Sequence, residues 1–113
     1  MDSLIPMTTL ERSAAVMRVL AHPQRLRICE LLLRGQVSVG GLADALAAPS
    51  NVVSQHLGML RAHGVVQPER AGKTVYYRVI DPSPGWLLAC IRDHGENRTA
   101  RLGGGDGRVS TST

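Results

Sequence analysis

The stretch SNVVSQHLGMLRAHG, residues 50–64, decides how this chain is interpreted. Wound as an α-helix, it places three apolar side chains, Val53, Leu57 and Leu60, on one side, which is the spacing of a helix face that packs on a core. The opposite side carries hydroxyl and amide side chains, a glycine and an arginine, but no carboxylate: Asn51, Ser54, Gln55, Gly58 and Arg61. Such a face predicts contact with a partner that is negatively charged and rich in hydrogen-bonding groups.

Composition and charge narrow the class of protein. A length of 113 residues favours one domain with a small core, and the absence of Phe predicts that this core is aliphatic. The net charge of +4 fits a polyanionic partner. We see neither an apolar run of membrane length nor a secretion signal, and two cysteines do not make a disulfide framework, so we expect a cytoplasmic protein.

Two helices are predicted upstream of the opening stretch, over residues 9–21 and 23–35. Thr9 is a suitable cap for the first helix, and an apolar stripe follows at helical spacing. Pro23 ends this helix and suits the first turn of the second, because the proline nitrogen carries no hydrogen there to leave unpaired. Gly35 then stops the second helix.

A helix-turn-helix follows. Ser38 is expected to cap a short helix that runs to residue 48, with an apolar side formed by Val39, Leu42, Ala43 and Leu46. Pro49 interrupts this helix, and Ser50 is expected to cap the next one, which is the opening stretch. Two short helices joined by so tight a break are typical of a helix-turn-helix motif.

After Gly64 the pattern changes to that of β-strands. The segments VVQPER (65–70) and TVYYRVI (74–80) are rich in strand-forming residues and flank AGK, which predicts a β-hairpin. Pro68 confines the first strand to an edge of the sheet. The hairpin therefore has the position of the wing in a winged helix-turn-helix protein.

One more helix is predicted over 83–95, with an apolar side formed by Trp86, Leu87, Cys90 and Ile91. The domain prediction is a lead over 1–8, a winged helix-turn-helix domain over 9–96 and a disordered tail over 97–113. The fold class is mainly α with a small β-hairpin wing. We expect the first and last helices to form a dimer interface, because their apolar segments lie outside the helix-turn-helix.

Four segments together resemble the ArsR/SmtB family of bacterial transcriptional repressors: LAHPQRLRICELL (20–32), SVGGLADAL (38–46), VVSQHLGMLRAHGVV (52–66) and GKTVYYRVIDP (72–82). The resemblance covers roughly residues 10–97. It implies a homodimeric winged-helix protein that binds double-stranded operator DNA and releases it when a metal ion or another inducer binds. The predicted function is accordingly that of a transcriptional regulator acting as a repressor.

The polar face of 50–64 then predicts the DNA contacts, because a major groove admits an α-helix and offers donors and acceptors on its base edges. The candidate DNA-binding residues on the helix and the wing are Ser50, Asn51, Ser54, Gln55, His56, Arg61, Arg70 and Lys73. Two interpretations of His56 remain open, contact with DNA or a partly buried hydrogen-bonding position against the preceding helix, and the second is favoured. Arg61 is expected at phosphate rather than at a base.

The resemblance also implies two places for a metal. The family's Cys-x-Cys pair falls on Ser38 and Gly40, so a soft-metal site of that type is absent. An interchain site on the last helix falls on Asp81, Ser83, His94 and Asn97, of which only Asp81 and His94 are metal ligands; Glu96 lies one residue from the fourth position. Nickel, cobalt or zinc suits these donors. The alternative is that Asp81 caps the last helix while His94 and Glu96 lie at its frayed end.

The sequence also bears on three other functions. Related repressors respond to thiol chemistry through one cysteine in each of the regions of Cys29 and Cys90, which leaves a redox-responsive regulator of the same fold open. A protein-interaction module without DNA binding is disfavoured by the hydrogen-bonding face of 50–62 and by Lys73. An enzyme is not expected, because the sequence contains no phosphate-binding loop, nucleophile elbow or paired carboxylates with a plausible cleft.

Overall fold

The chain folds into five helices and one β-hairpin, in the order that the sequence predicts. In the computed structural model, residues 3–103 are described, with side chains for residues 3–97. The elements are α1 (Met7–Leu20), α2 (Pro23–Arg34), α3 (Val39–Leu46), α4 (Ser50–Ala62), β1 (Val66–Ala71), β2 (Thr74–Val79) and α5 (Ser83–Gly103).

The starts of α2 and α3 follow from local chemistry. Pro23 is the first residue of α2, and the side chain of His22 caps this helix by accepting a hydrogen bond from the backbone N–H of Gln24. The Ser38 hydroxyl caps α3 and accepts from the N–H of Gly41 at 3.0 Å. The positions predicted for Pro23 and for Ser38 are thereby confirmed.

The caps predicted for α1 and α4 are wrong. Helix α1 begins at Met7 behind Pro6, so Thr9 lies within its first turn and the helix starts inside the predicted lead 1–8. Helix α4 begins at Ser50 behind Pro49. Both N-caps are prolines in an extended conformation, and each proline carbonyl accepts the first helical hydrogen bonds, so neither helix has a side-chain cap.

The turn between α3 and α4 is short because the chain reverses at one residue. Ala47 adopts a left-handed conformation with φ of 51°. The N–H of Ala48 donates to the carbonyl of Ala43 at 3.0 Å, and the N–H of Ala47 donates to that of Asp44, which together form a Schellman motif. Pro49 follows and starts α4, which completes the predicted helix-turn-helix.

The core is aliphatic, as the composition predicts, and it joins all parts of the helix-turn-helix to α2 and the hairpin. Its fully buried members are Leu20, Ile28, Cys29, Leu42, Val53, Leu57, Leu60, Val65 and Val66. Leu87 and Leu88 of α5 pack against this cluster, so the last helix is held on the outside of α2.

The hairpin has a two-residue loop at Gly72 and Lys73, with Ala71 paired to Thr74. Gly72 has a φ of +64°, the conformation that the first loop position of a type II′ turn requires. Pro68 lies on β1, the outer strand, as predicted. On its other edge β2 forms an isolated bridge from Tyr76 to Ser38, which connects the wing to the start of α3.

The last helix is longer than predicted. It continues past Gly95 and runs to Gly103, so residues 97–103 are helical rather than part of a disordered tail. A single glycine costs a helix about 1 kcal/mol and does not end it, and Arg, Ala and Leu in this segment favour helix. The rest of the predicted tail, residues 104–113, lies outside the described residues. Neither α5 nor any other helix within 3–103 is both long and apolar enough to cross a membrane.

Candidate nucleic-acid interface

Helix α4 has the two faces that its sequence predicts. Val53, Leu57 and Leu60 are buried in the core, whereas the opposite face is exposed along its length. The exposed residues of that face are Ser50, Asn51, Ser54, Gln55, Gly58 and Arg61. The chain itself covers one side of α4 and leaves the polar side free for a partner.

His56 does not belong to the exposed face. Its side chain points to the first turn of α2 and is 8 % exposed, and it is the one buried polar residue in the part of the chain described here. Its Nε2–H donates to Oε1 of Gln24 at 3.0 Å, and its Nδ1 accepts from Nε–H of Arg25 at 3.2 Å. The buried hydrogen-bonding interpretation is confirmed, but the packing predicted against the preceding helix is wrong, because both hydrogen-bond partners belong to α2. His56 is withdrawn from the DNA-contacting residues.

The partners of His56 were not found from the sequence. Gln24 and Arg25 lie more than 30 residues away along the chain, and both belong to α2 rather than to the neighbouring α3. In the sequence, HPQR at 22–25 indicates a helix boundary and does not by itself indicate a contact with α4. A signal was nevertheless available, since a histidine on the apolar side of a helix needs hydrogen-bonding partners when it is buried.

The surface around α4 is basic. Between residues 45 and 80 the chain has one carboxylate, Glu69, against Arg61, Arg70, Lys73 and Arg78. Glu69 is paired with Arg78 across the hairpin, with 2.6 Å from Oε2 to Nε. The remaining cations are exposed, and Lys73 lies at the tip of the hairpin loop. The polar face of α4 is thus flanked by positive charge on the wing.

The candidate metal ligands are not brought together within one chain. Oδ1 of Asp81 accepts a hydrogen bond from the N–H of Ser83 at 2.7 Å, so this carboxylate caps the start of α5. His94 and Glu96 are exposed further along α5, and the helix rises about 16 Å between Ser83 and His94. Within residues 3–97 no three His, Cys, Asp or Glu side chains form a group that could hold an ion.

The cysteines lie in two different environments. Cys29 is fully buried in the core, and burial raises the pKa of its thiol to about 11. Because the thiolate is the reactive form, Cys29 has the properties of an apolar core residue. Cys90 is exposed on α5, although the sequence placed it on the packing side of that helix. These positions give no support to a thiol switch that uses both residues.

A second surface is apolar and exposed. On α1 the side chains of Met7, Leu10 and Met17 face outward, and on α5 those of Trp86 and Ile91 do the same. Trp86 is 76 % exposed, although an indole is among the largest apolar groups that a protein can bury. Leu87 and Leu88 take the core-facing positions of α5 instead. These exposed residues belong to the two helices predicted to form a dimer.

Comparison with known proteins identifies the kind of domain. Residues 20–69 match the family model for a helix-turn-helix domain. The chain is 43 % identical over 76 residues to the HTH-type transcriptional repressor SmtB of Mycobacterium tuberculosis, covering 67 % of this chain and 56 % of that repressor. It is 33 % identical over 91 residues to the biofilm growth-associated repressor of Agrobacterium fabrum, covering 77 % and 78 % of the two chains.

The fold agrees with these relatives. A homodimeric winged helix-turn-helix DNA-binding domain from Mycobacterium bovis, described as a possible ArsR-family transcriptional regulator, superimposes with a TM-score of 0.72 and 26 % identity. The match covers 89 % of this chain and 95 % of that one. The fold and the interface define a winged helix-turn-helix protein. The chain belongs to the ArsR/SmtB family of transcriptional regulators.

Proposed function

We propose that the chain is a homodimeric transcriptional repressor that binds operator DNA with α4 in the major groove. The observation that carries this proposal is the exposed face of α4, which lacks carboxylates, is rich in hydrogen-bonding groups and is flanked by a basic wing. The names of its relatives include repressors from Mycobacterium tuberculosis and Agrobacterium fabrum. A regulator of this kind acts in the cytoplasm, where the bacterial chromosome lies.

The exposed residues of α4 and of the wing are expected to contact different parts of the DNA. Gln55 presents an amide that suits the N6 and N7 edge of adenine, and Asn51 and Ser54 lie on the same exposed side. Ser50 at the start of α4 and Arg61 near its end are placed for phosphates, which fix the position of the helix without reading sequence. Arg70 and Lys73 on the wing reach the neighbouring groove or its phosphates.

A homodimer follows from the apolar surface of α1 and α5, since a second copy of the chain has the same surface to offer. The Mycobacterium bovis domain is homodimeric by name, which supports the same assembly here. Two-fold symmetry places two α4 helices about 34 Å apart, one turn of DNA. The operator is therefore expected to be an inverted repeat with that spacing.

Control by a metal ion is a finer proposal that rests on the same dimer. The described donors are an imidazole and two carboxylates, from His94, Asp81 and Glu96, and these suit nickel, cobalt or zinc better than a soft metal. They are too far apart to meet within one chain, so a site requires both copies. Ser83 and Asn97 stand at two ligand positions of the family pattern, so we expect weak binding.

Calorimetry on the wild type and on His94→Ala with each of the three ions tests this finer proposal. Binding by the wild type that is lost in the variant and weakens at low pH supports the site, because only neutral imidazole coordinates a metal. Equal binding by both proteins, or no binding by either, contradicts it and leaves another inducer.

The repressor itself is tested by fluorescence anisotropy with the DNA upstream of its own gene and with the same fragment scrambled. We expect the upstream fragment to bind at least about a thousandfold more tightly at physiological salt. Equal affinity for both would show binding to phosphates without recognition of sequence. No binding to either would favour the protein-interaction module.

A further inference from the structure

His56 connects helix α4 to the start of α2. Both of its ring nitrogens are bonded to the first turn of α2, one to Gln24 and the other to Arg25. With Nδ1 accepting and Nε2–H donating, the ring is neutral and both nitrogens are satisfied. Among residues 3–97 no buried side-chain nitrogen or oxygen lacks a partner, so this arrangement leaves no unpaired group beneath α4.

The two partners are themselves held in place. The backbone N–H of Gln24 donates to Nδ1 of His22 at 3.1 Å, and Nη1–H of Arg25 donates to the carbonyl of Val19 at 3.2 Å. The rings of His22 and His56 meet edge to face with 4.6 Å between their centroids. One connected set of side chains therefore joins the end of α1, the start of α2 and the middle of α4. We call the residues His22, Gln24, Arg25 and His56 the α2–α4 clamp.

The hydrogen bonds of His56 can fix the rotation of α4 about its axis, which the apolar contacts of this helix do not. Val53, Leu57 and Leu60 hold the helix on the core by contacts that do not depend on direction. A hydrogen bond weakens steeply when it is bent or stretched. With a helix diameter of about 10–12 Å including side chains, a rotation of about 20° moves an exposed side-chain tip by about 2 Å. That displacement is enough to break a hydrogen bond to a base edge.

We propose that His56 is a positioning residue for sequence recognition, whose bonds to Gln24 and Arg25 fix the rotation of α4 about its axis and so aim Ser54 and Gln55 at the bases. This inference rests on the proposed function, since it concerns how the same face reads DNA. Binding to random DNA uses phosphate contacts, which tolerate a small rotation. The clamp therefore governs discrimination between DNA sequences more than affinity for DNA.

Protonation of His56 opens the clamp, because an imidazolium Nδ1 carries a hydrogen and no longer accepts from Arg25. The charged or titratable groups that face the ring are His22, at the junction of α1 and α2, and Arg25 of α2. Burial lowers the pKa of His56 from its ordinary value of 6.5, and both neighbours lower it further. The unfolded chain therefore takes up this proton first as pH falls, so stability is full above about 6.5 and declines below it.

The test measures the specificity ratio, which is the dissociation constant for scrambled DNA divided by that for the upstream fragment. His56→Leu replaces the imidazole by an apolar side chain of similar size and removes both bonds. We expect the ratio to fall about tenfold, as for the loss of one directed base contact, while affinity for scrambled DNA changes less than about twofold. His56→Asn can still accept from Arg25 and should give an intermediate ratio.

Two further variants keep the outcome decisive. Gln24→Ala removes one bond from a half-buried position, and it decides the matter if His56→Leu does not fold. His63→Asn is the matched control, because His63 ends the same helix but is exposed and bonds only locally to the carbonyl of Met59. In the wild type and in His63→Asn the ratio should fall as the pH is lowered through the range below 6.5 in which His56 is protonated, whereas in His56→Leu it should stay flat.

The outcomes separate the two levels of the proposal. A wild-type ratio near one overturns the proposed function and the inference with it. A high wild-type ratio that is unchanged in folded His56→Leu or Gln24→Ala overturns only the positioning role. A ratio that falls in both variants, with affinity for scrambled DNA preserved, establishes it.

Discussion

Helices α4 and α5 both carry apolar side chains at helical spacing, but these side chains are buried to different extents in the two helices. On α4 the apolar side is buried, and even the histidine on that side has its hydrogen bonds satisfied within the chain. On α5 Leu87 and Leu88 pack against the core, while Trp86 and Ile91 face outward. One copy of the chain therefore buries the apolar side of α4 completely but leaves part of the apolar surface of α5 exposed, as it does on α1.

The largest effect on assembly and on operator affinity is expected from a charge placed in the apolar surface of α5. Trp86→Glu places a charge in the proposed dimer interface, and because Trp86 is 76 % exposed in the single chain, the fold should be retained. The protein should sediment as a monomer, and operator affinity should fall at least about a hundredfold because the two half-sites are no longer bound together. Leu33→Glu, at an exposed leucine of α2, is the control and should stay dimeric. A dimeric Trp86→Glu protein would contradict the assignment of α5 to the interface.

The second prediction compares burial on α4 with exposure on α1. Leu57→Ala opens a cavity in the core and should lower the free energy of unfolding by about 2–5 kcal/mol. Met17→Ala removes a side chain that is 57 % exposed and, in the monomeric Trp86→Glu background, should change that free energy by less than about 1 kcal/mol. Urea unfolding of both variants in that background measures the difference. Similar losses of unfolding free energy at the two positions would mean that Met17 packs within the single chain and is not on a free surface.

The third prediction concerns the exposed face of α4. Gln55→Ala should cost about 1–3 kcal/mol of binding free energy on the upstream fragment and little on scrambled DNA. The reason is that an amide on this face contributes only where a matching base edge is present. Anisotropy titrations on both DNAs measure the two losses. Equal losses would make Gln55 a phosphate contact and would place the reading residues elsewhere on α4.

The smallest effect is expected at the wing. Lys73→Ala should weaken binding to both DNAs by about the same factor, because a lysine at a hairpin tip contacts phosphates without reading bases. The slope of log affinity against log salt should become shallower by about one. Titrations at several salt concentrations measure this slope. An unchanged slope would show that the tip of the wing does not reach DNA.

The parts of the fold that the sequence predicts are those decided by neighbouring residues. Pro23 and Ser38 start their helices because a fixed φ and a side-chain cap act within three residues. Thr9 and Ser50 failed as caps because a proline just before each helix already supplied its first acceptor. The spacing of Val53, Leu57 and Leu60 was sufficient to predict which face of α4 is buried.

The contacts of His56 were missed because they join residues that are far apart in the chain. The partners of His56 come from α2, and no local pattern links positions 24 and 56. Trp86 was predicted on the apolar side of the last helix, within the proposed dimer interface, and it is 76 % exposed in the single chain. The candidate DNA contacts other than His56 lie on exposed surface, as predicted, but their roles stay predictions.

The bridge between Ser38 and Tyr76 has a thermodynamic consequence for binding. Ser38 also caps α3, so this residue, together with the buried Val66 of β1, connects the wing to the helix-turn-helix before any DNA is present. A hairpin that hung free would lose its conformational entropy at the moment of binding, and that loss would be subtracted from the affinity. Here the hairpin is ordered when the protein folds. The contacts of the wing with DNA can therefore contribute more of their interaction energy to the observed affinity.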